Sequence, residues 1–510
     1  MVRVSLLSCL VLAACGSNAG RGDSVCDQMP PPPECEQTCD PSPGAPNDCP
    51  AGFHCSPDGV CDALCTPTGG ECGDGWHCTS DGRCEEDGTC VGLECDVVDC
   101  QGMGMPSTTL SGTVFAPNGT LPLYGVSVYV PNSDPGPLTD GAVCDQCGDP
   151  PGSPIGLSTT DETGRFVLTD VPAGADVPLV IVTGKWRRQI TIPTVAACAD
   201  TPLADTDTRL PRNGSEGDMP RIAISTGNAD ALDCLVRKLG IDDAEISTAG
   251  QAGHVHLYAN NDSPGRGART FESGFPGGNG DFADSAAALW DNVDQLMPYD
   301  LVFLSCEGRQ DPDTKPQAAL DAMQQYADRG GRVFASHWHN IWIGGNRDDQ
   351  SHGIADWQAV ADFRFGGNPN PDTLTATIDE VSNPKGGSFA TWMVNVMGSM
   401  TRGLIVVNES RTTCSTVDTD LGERWVYLDP ATSPDESSVM NFQFTTPQNV
   451  PIEQRCGKVV FSDMHVSADS SSDDGTPYPR DCSTSPLTAQ EKALAFMFFD
   501  LASCVDIIVD

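Results

Sequence analysis

The sequence predicts a multidomain chain: small disulfide-rich repeats, an antiparallel β-sandwich, and an α/β doubly wound parallel sheet carrying a β-rich insertion. Three observations point there. Thirteen cysteines crowd between Cys26 and Cys100, alternating β-branched and apolar residues then run to about residue 193, and after that strand patterns alternate with helix patterns. The length of 510 residues suits roughly two to four domains of ~150 residues each.

The first fifteen residues set the compartment. Arg3 supplies a positive start, residues 4–11 a short apolar run, and Leu12-Ala13-Ala14-Cys15 ends it with small residues before a cysteine. The run is too short to span a bilayer and suits a signal peptidase. It resembles a bacterial lipoprotein signal, which implies a signal peptide over 1–14, lipid on Cys15, and a membrane partner held through that lipid rather than crossed. An ordinary secretory signal with a chance cysteine is the alternative, and both readings export the chain. Gly16 stands where an inner-membrane retention signal would place Asp, so the expected address is the outer membrane or cell surface of a Gram-negative-type bacterium.

Charge and cysteine usage agree with export. With 71 acidic against 28 basic residues the net charge is -43, which repels a phosphate backbone and excludes nucleic acid as a partner. Setting aside Cys9 and Cys15 leaves 22 of the 24 cysteines, an even number that reads as a disulfide framework after an export signal. No later segment is apolar for ~18 residues.

Residues 15–34, with Gly, Ser, Asn and a four-proline run, form a tether that cannot build a core. Residues 35–104 hold an internal repeat. Cys49-Pro-Ala-Gly-Phe-His-Cys55-Ser-Pro-Asp-Gly-Val-Cys61 aligns with Cys72-Gly-Asp-Gly-Trp-His-Cys78-Thr-Ser-Asp-Gly-Arg-Cys84 at identical cysteine spacing. Each unit has one aromatic and almost no aliphatics, so cross-links must replace the core. His54 and His77 beside Cys55 and Cys78 offer zinc chemistry, which an oxidising space disfavours. The repeats resemble EGF-like or Dickkopf-like modules, implying spacer or adhesive roles.

Over residues 107–199, strands are expected at 110–115, 125–130, 165–169, 179–182 and 189–192, making a small antiparallel sandwich. The strings Ser111-Gly112-Thr113-Val114, Gly125-Val126-Ser127-Val128, Thr160-Asp161-Glu162-Thr163-Gly164-Arg165-Phe166 and Val171-Pro172-Ala173-Gly174 resemble the carboxypeptidase regulatory-like, or transthyretin-like, domain. That likeness implies an accessory module without catalytic residues. Lys185-Trp186-Arg187-Arg188 is a basic, aromatic cluster that reads as a hairpin tip or a face turned to the next domain, with sugar stacking as the alternative. Cys144 and Cys147 are expected to staple their Gly/Pro-rich loop.

Residues 218–510 read as α/β. Strands are expected at 221–225, 254–258, 300–305, 332–336 and 457–462, with helices at 229–239, 286–296 and 316–329 and a last one opened by the Thr488/Glu491 capping box. The phrases at 299–305, 326–333 and 457–465 resemble the class I glutamine amidotransferase-like, flavodoxin-like superfamily, nearest its ThuA-like branch, with an insertion over about 341–455.

In such sheets ligands collect at the carboxyl ends of the strands. Cys306-Glu307 follows the third strand, His337-Trp338-His339 the fourth and Asp463-Met464-His465 the fifth. His337 and His339 would share a face if their strand continued. Three readings compete. The superfamily resemblance implies Cys306 as nucleophile with His465 or His337 as base and Glu307 beside it, although Ser305-Cys306-Glu307-Gly308 departs from the Gly-x-Cys-x-Gly elbow. His337, His339, Asp463 and His465 instead suit a divalent metal ion as cofactor. The third reading is a satisfied polar network beneath the insertion, with Cys306 in a disulfide. Trp338, with Trp342 and the insertion's Trp357, Trp392 and Trp425, either lines a saccharide cleft or packs a core. Residues 469–475 are a Ser/Asp-rich loop with a calcium-loop flavour. The expected function is binding or adhesion at the envelope, to a saccharide or envelope protein, with a hydrolase or carbohydrate-active enzyme as the alternative.

Overall fold

The computed structural model describes residues 26, 33–42, 49–50, 53–63, 65, 76–78, 84–86, 90–227, 229–260, 267–349, 351–365, 372–430, 438–466 and 476–505. They belong to two compact units, Met1–Val91 and Gly92–Asp510. The signal segment, Cys15, Cys72 and the 469–475 loop lie outside the described residues.

In the first unit β1 (His54–Cys55) pairs antiparallel with β2 (Cys61–Asp62), and β3 (Trp76–Cys78) pairs likewise with β4 (Cys84–Glu86), so the sequence repeat is a repeat of tiny hairpins. Between β1 and β2, Gly59 adopts φ 76°, the left-handed turn conformation that Asp-Gly favours. Disulfides Cys26–Cys35, Cys39–Cys55 and Cys49–Cys61 hold this part together where apolar side chains are too few.

The second unit opens with the sandwich: β5 (Thr109–Thr113), β6 (Ser127–Pro131), β7 (Pro154–Thr159), β8 (Arg165–Thr169), β9 (Gly174–Thr183), β10 (Trp186–Val195) and β11 (Asp200–Pro202). One sheet runs β10-β9-β6-β7, the other β11-β5-β8. β8 shows the cause plainly, since Phe166 and Leu168 point into the core while Arg165, Val167 and Thr169 face out. β7 and β11 are edge strands that begin or end in proline, and β7 carries Gly156 at φ 72° beside a register shift against β6. These features hide a strand from pattern reading.

The α/β part follows: β12 (Ile222–Ser225), α1 (Leu232–Lys238), β13 (Ile246–Thr248), β14 (Val255–Ala259), β15 (Ala283–Asp284), α2 (Ser285–Ala288), α3 (Val293–Leu296), β16 (Leu301–Leu304), α4 (Gln317–Asp328), β17 (Arg332–Ser336) and α5 (Ile341–Gly344). The insertion supplies β18 (Ala361–Phe363), β19 (Thr373–Ile378), α6 (Gly386–Asn395), β20 (Leu404–Asn408), β21 (Cys414–Val417), β22 (Glu423–Tyr427) and β23 (Val439–Thr446), before β24 (Gly457–Ser462) and α7 (Ala489–Ala502). The expected helix at 286–296 is two single turns, because Asn292 caps a fresh start by accepting from the Asp294 amide.

The large sheet runs β13-β14-β12-β16-β17-β24-β23-β22-β19-β20, parallel as far as β24 and antiparallel beyond it. Both faces of its parallel half are covered. Leu301, Phe303 and Phe334 join the core that holds α1 and α7, while Val302, Leu304 and Val333 join the core that holds α4. The insertion was expected to sit over the strand ends. Its strands β19, β20, β22 and β23 instead widen the sheet, while among the described residues 410–414 return to the end of β24 and 346–348 lie beside Gln310 and Trp338.

Sandwich and sheet are locked together. Trp186 is fully buried with Phe498 and Phe499 of α7 at ring distances of 6.4 and 6.3 Å, and Lys185 Nζ lies 2.5 Å from Asp300 Oδ1. The 185–188 cluster is therefore both a hairpin tip and a domain-facing surface. Gly184 between β9 and β10 has φ 51°, and a Cβ there would strike the Ala502 carbonyl. Cys144 and Cys147, expected to staple their own loop, instead bond Cys456 and Cys504 across the seam. Cys100–Cys198 closes the sandwich and Cys234–Cys482 ties α1 to the segment before α7.

Candidate functional site

β16, β17 and β24 are neighbouring parallel strands, so the residues that follow them emerge on one edge. Cys306, His337 and His465 meet there. Cys306 Sγ lies 3.3 Å from His337 Nδ1, the His337 and His465 rings are 5.2 Å apart, and one donor atom from each of the three falls within 4.8 Å of the others. All three are buried.

The sulfur is a free thiol. The reading that placed Cys306 in a disulfide is corrected, because Cys306 and Cys414 are both free and buried. Burial pushes the Cys306 thiol up to about 12, with Asp230 adding to the rise and Arg411 opposing it. Burial also holds His337 well below the usual histidine range, helped by His465 and Arg411, and takes His465 down to about 3 with Arg411 contributing. Both imidazoles are neutral bases at pH 7.

His339 does not join them. β17 stops at Ser336, and His337–Asn340 winds into a single 3-10 turn whose first residue takes φ 39°, so the face-sharing expected of a continued strand is lost. His339 Nε2 meets the Ser305 carbonyl at 3.1 Å while its Nδ1 accepts from Trp342 Nε1 at 3.0 Å. With both ring nitrogens engaged, it is a structural strut. Asp463 is likewise committed, its carboxylate accepting from Thr413 N at 2.6 Å, Thr413 Oγ1 at 2.8 Å and Cys414 N at 3.0 Å. Burial raises it to about 6 against those bonds. Of the expected set His337, His339, Asp463 and His465, the structure brings together His337 and His465, with Cys306 beside them, and engages His339 and Asp463 elsewhere.

Glu307 turns away from the thiol to Lys315, whose Nζ donates to its Oε2 at 2.7 Å. Trp338 is half-buried with its ring 4.7 Å from that of His337, and it borders the cluster. Trp342, expected at a ligand surface, is fully enclosed beside Trp290 at 5.7 Å. Trp357, Trp392 and Trp425 are enclosed as well, the latter two with Phe496 at 5.2 and 5.6 Å, so these tryptophans pack a core.

Asp230, in the loop after β12, was not singled out by the sequence reading. Its carboxylate accepts from Ser336 Oγ and, at 2.7 Å, from Val466 N, tying the ends of β17 and β24 together beside the cluster. Burial lifts it to about 7. Its signal was its place, one more acidic residue just past a parallel strand. Gly227 in the same loop is required because a Cβ would strike the Cys306 carbonyl.

A separate concavity lies elsewhere. A groove of about 1480 Å³ runs between the sandwich turn at 117–122, the end of α1 and the segment before α7. Arg209, Arg212, Arg237, Lys238 and Lys492 line it, against Asp205, Asp242 and Asp243. None of Cys306, His337 and His465 is among its lining residues.

No family model matches this chain, and no curated protein matches it. Among solved structures, a ThuA-like protein from Bacteroides uniformis is similar over 55% of this chain and 91% of its own, at 12% identity and a TM-score of 0.30. Two type II cohesin–X-dockerin interface mutants from Acetivibrio cellulolyticus are similar over 24% and 26% of this chain and 78% and 85% of their own, each at 19% identity and a TM-score of 0.15.

Proposed function

We propose that this chain is an exported, envelope-anchored lipoprotein that binds a ligand rather than turning one over. Cys15 carries the anchor, the cystine-rich repeats act as a spacer, and residues 92–510 form the binding body. The observation that carries this reading is the separation of chemistry from access. The groups capable of catalysis are buried and engaged with one another, while the open groove between sandwich and sheet is rimmed by basic side chains in a chain of net charge -43. The disulfides agree with an oxidising compartment, and no helix among the described residues is long and apolar enough to cross a membrane.

In this groove Arg237 and Lys238 are paired with Asp243 and Glu491, whereas Arg209 and Arg212 share the single carboxylate of Glu216 and Lys492 donates to the Val396 carbonyl. On a lining braced by Cys234–Cys482, these last three suit an anionic envelope saccharide, whose carboxylates take charge-assisted hydrogen bonds. The full chain should be retained on an acidic polysaccharide and not on a neutral one, with retention falling as salt rises and falling again in an Arg212→Gln, Lys492→Gln variant. Equal retention on both matrices, or an unaffected variant, would overturn the saccharide assignment. Cys15→Ser should release the protein from membranes; unchanged lipid labelling in that variant would overturn the anchor.

The second reading, a thiol hydrolase, rests on the 3.3 Å contact between Cys306 and His337, a nucleophile beside a base. Against it stand the raised thiol and the commitment of Glu307 to Lys315. Hydrolysis of an ester probe that disappears in Cys306→Ala would select this reading over binding.

A further inference from the structure

We infer that Cys306, His337 and His465 form a binding site for a single zinc-type divalent ion. The set is new in composition, a thiolate and two imidazoles, and it comes from three separate parallel strands that the sheet brings to one edge. The spacing fits. Around a tetrahedral ion with bonds of ~2.3 Å to sulfur and ~2.0–2.1 Å to nitrogen, donor atoms stand roughly 3.3–3.6 Å apart. Here Sγ and Nδ1 of His337 are already at 3.3 Å, and all three donors lie within 4.8 Å.

A second observation points to a ligand. His465 Nε2 is buried and has no hydrogen-bond partner among the described residues, although its side chain sits against His337 and the thiol. An unpaired buried ring nitrogen is destabilising, and a metal bond would remove that cost. The neighbours also behave as an outer sphere. Asp463 pins residues 413–414 against the end of β24, and Asp230 joins Ser336 to Val466, fixing the segments that carry His337 and His465. Cys306 is spared from the disulfides that claim cysteines elsewhere in the unit, and its burial shields it from exchange. On binding, the S–H proton leaves to solvent as the sulfur–metal bond forms, so the site takes a dication and releases one proton. Three protein ligands would leave a fourth position for water or a bound group.

The test uses the full chain, freed of metal with a chelator and titrated with zinc, with cobalt as the spectroscopic stand-in. One equivalent of zinc should bind, protect Cys306 from alkylation during brief denaturant pulses, and raise the thermal midpoint. Cobalt should show a thiolate-to-metal charge-transfer band. Cys306→Ser, which keeps the side chain's size, should lose that band and lower zinc affinity by more than the ~10–100-fold that loss of an outer-sphere partner costs. His465→Gln should lower affinity likewise, with folding checked by circular dichroism. Absence of stoichiometric zinc, zinc uptake equal in wild type and Cys306→Ser, or a cobalt complex without the thiolate band would each overturn the inference. Saccharide retention by the groove is scored separately and does not depend on this result.

Discussion

Lys315 and Glu307 form an enclosed ion pair, Nζ to Oε2 2.7 Å, with side-chain exposures of 0% and 3%. Lys315 also lies 5.4 Å from the Trp290 ring centre. The pair fixes the loop between β16 and α4, and it keeps the residue next to Cys306 from serving as its acid. Breaking one side strands a buried charge. Lys315→Met should cost ~3–5 kcal/mol in urea unfolding, and adding Glu307→Gln should recover much of it. A single variant as stable as the double would show that the charges do not couple.

The bonds Cys144–Cys456 and Cys147–Cys504 close spans of 312 and 357 residues between sandwich and sheet. Their chief effect is to restrict the unfolded chain. A Cys144→Ala, Cys147→Ala variant should lose about 2–5 kcal/mol for each bond and expose the 203–219 connection to limited proteolysis. A wild-type thermal midpoint and digestion pattern would mean that the Trp186 contacts alone hold the seam.

Asp230 sets a pH dependence whose sign follows from its raised value. Burial lifts it from 3.8 to about 7, so the folded state holds a proton that the unfolded state releases near pH 4. Its contribution is full below pH ~4 and is lost as pH rises through ~7, an effect bounded at roughly 4 kcal/mol by 1.36 kcal/mol per unit. Asp230→Asn should remove that slope. Unfolding free energies at pH 4.5 and 7.5 should differ less in the variant than in wild type, and equal differences would contradict the assignment.

The Cys306 thiol, pushed up to about 12, should label slowly. At pH 7 only ~1 in 10⁵ such thiols is ionised, against a few per cent for a free cysteine. Metal-free native protein should therefore react with iodoacetamide far more slowly than glutathione does, and faster once unfolded. Rapid labelling of the native state would favour the hydrolase reading instead.

Much of the architecture was legible because local chemistry and global fold agree. The strands at 332–336 and 457–462 are buried along their whole length around the apolar stretches 333–335 and 459–461, because both faces of the sheet are covered. The Thr488/Glu491 capping box opens α7 as its spacing predicts, with both reciprocal bonds formed. Convergence at the strand ends was legible too, since parallel strands finish on one edge. The identity of the set was not. His337 and His339 are separated by the turn that begins once β17 ends, and no periodicity reports where a strand stops to within one residue.

The sequence alone determined the texture of each segment: cystine-rich repeats without a core, alternating strands for the sandwich, and strand–helix alternation for the sheet. Those properties live in local propensity and in patterns of period 2 and 3.6, which neighbouring residues express without distant partners. Only the tertiary structure decided which cysteine bonds which, that Cys306 stays a thiol, that Glu307 belongs to Lys315 and Asp463 to the 413–414 amides, and that the insertion widens the sheet. Each of those outcomes pairs groups far apart in the chain, and such pairings are chosen by packing and by the cost of burying an unpaired polar group, neither of which has a local signature.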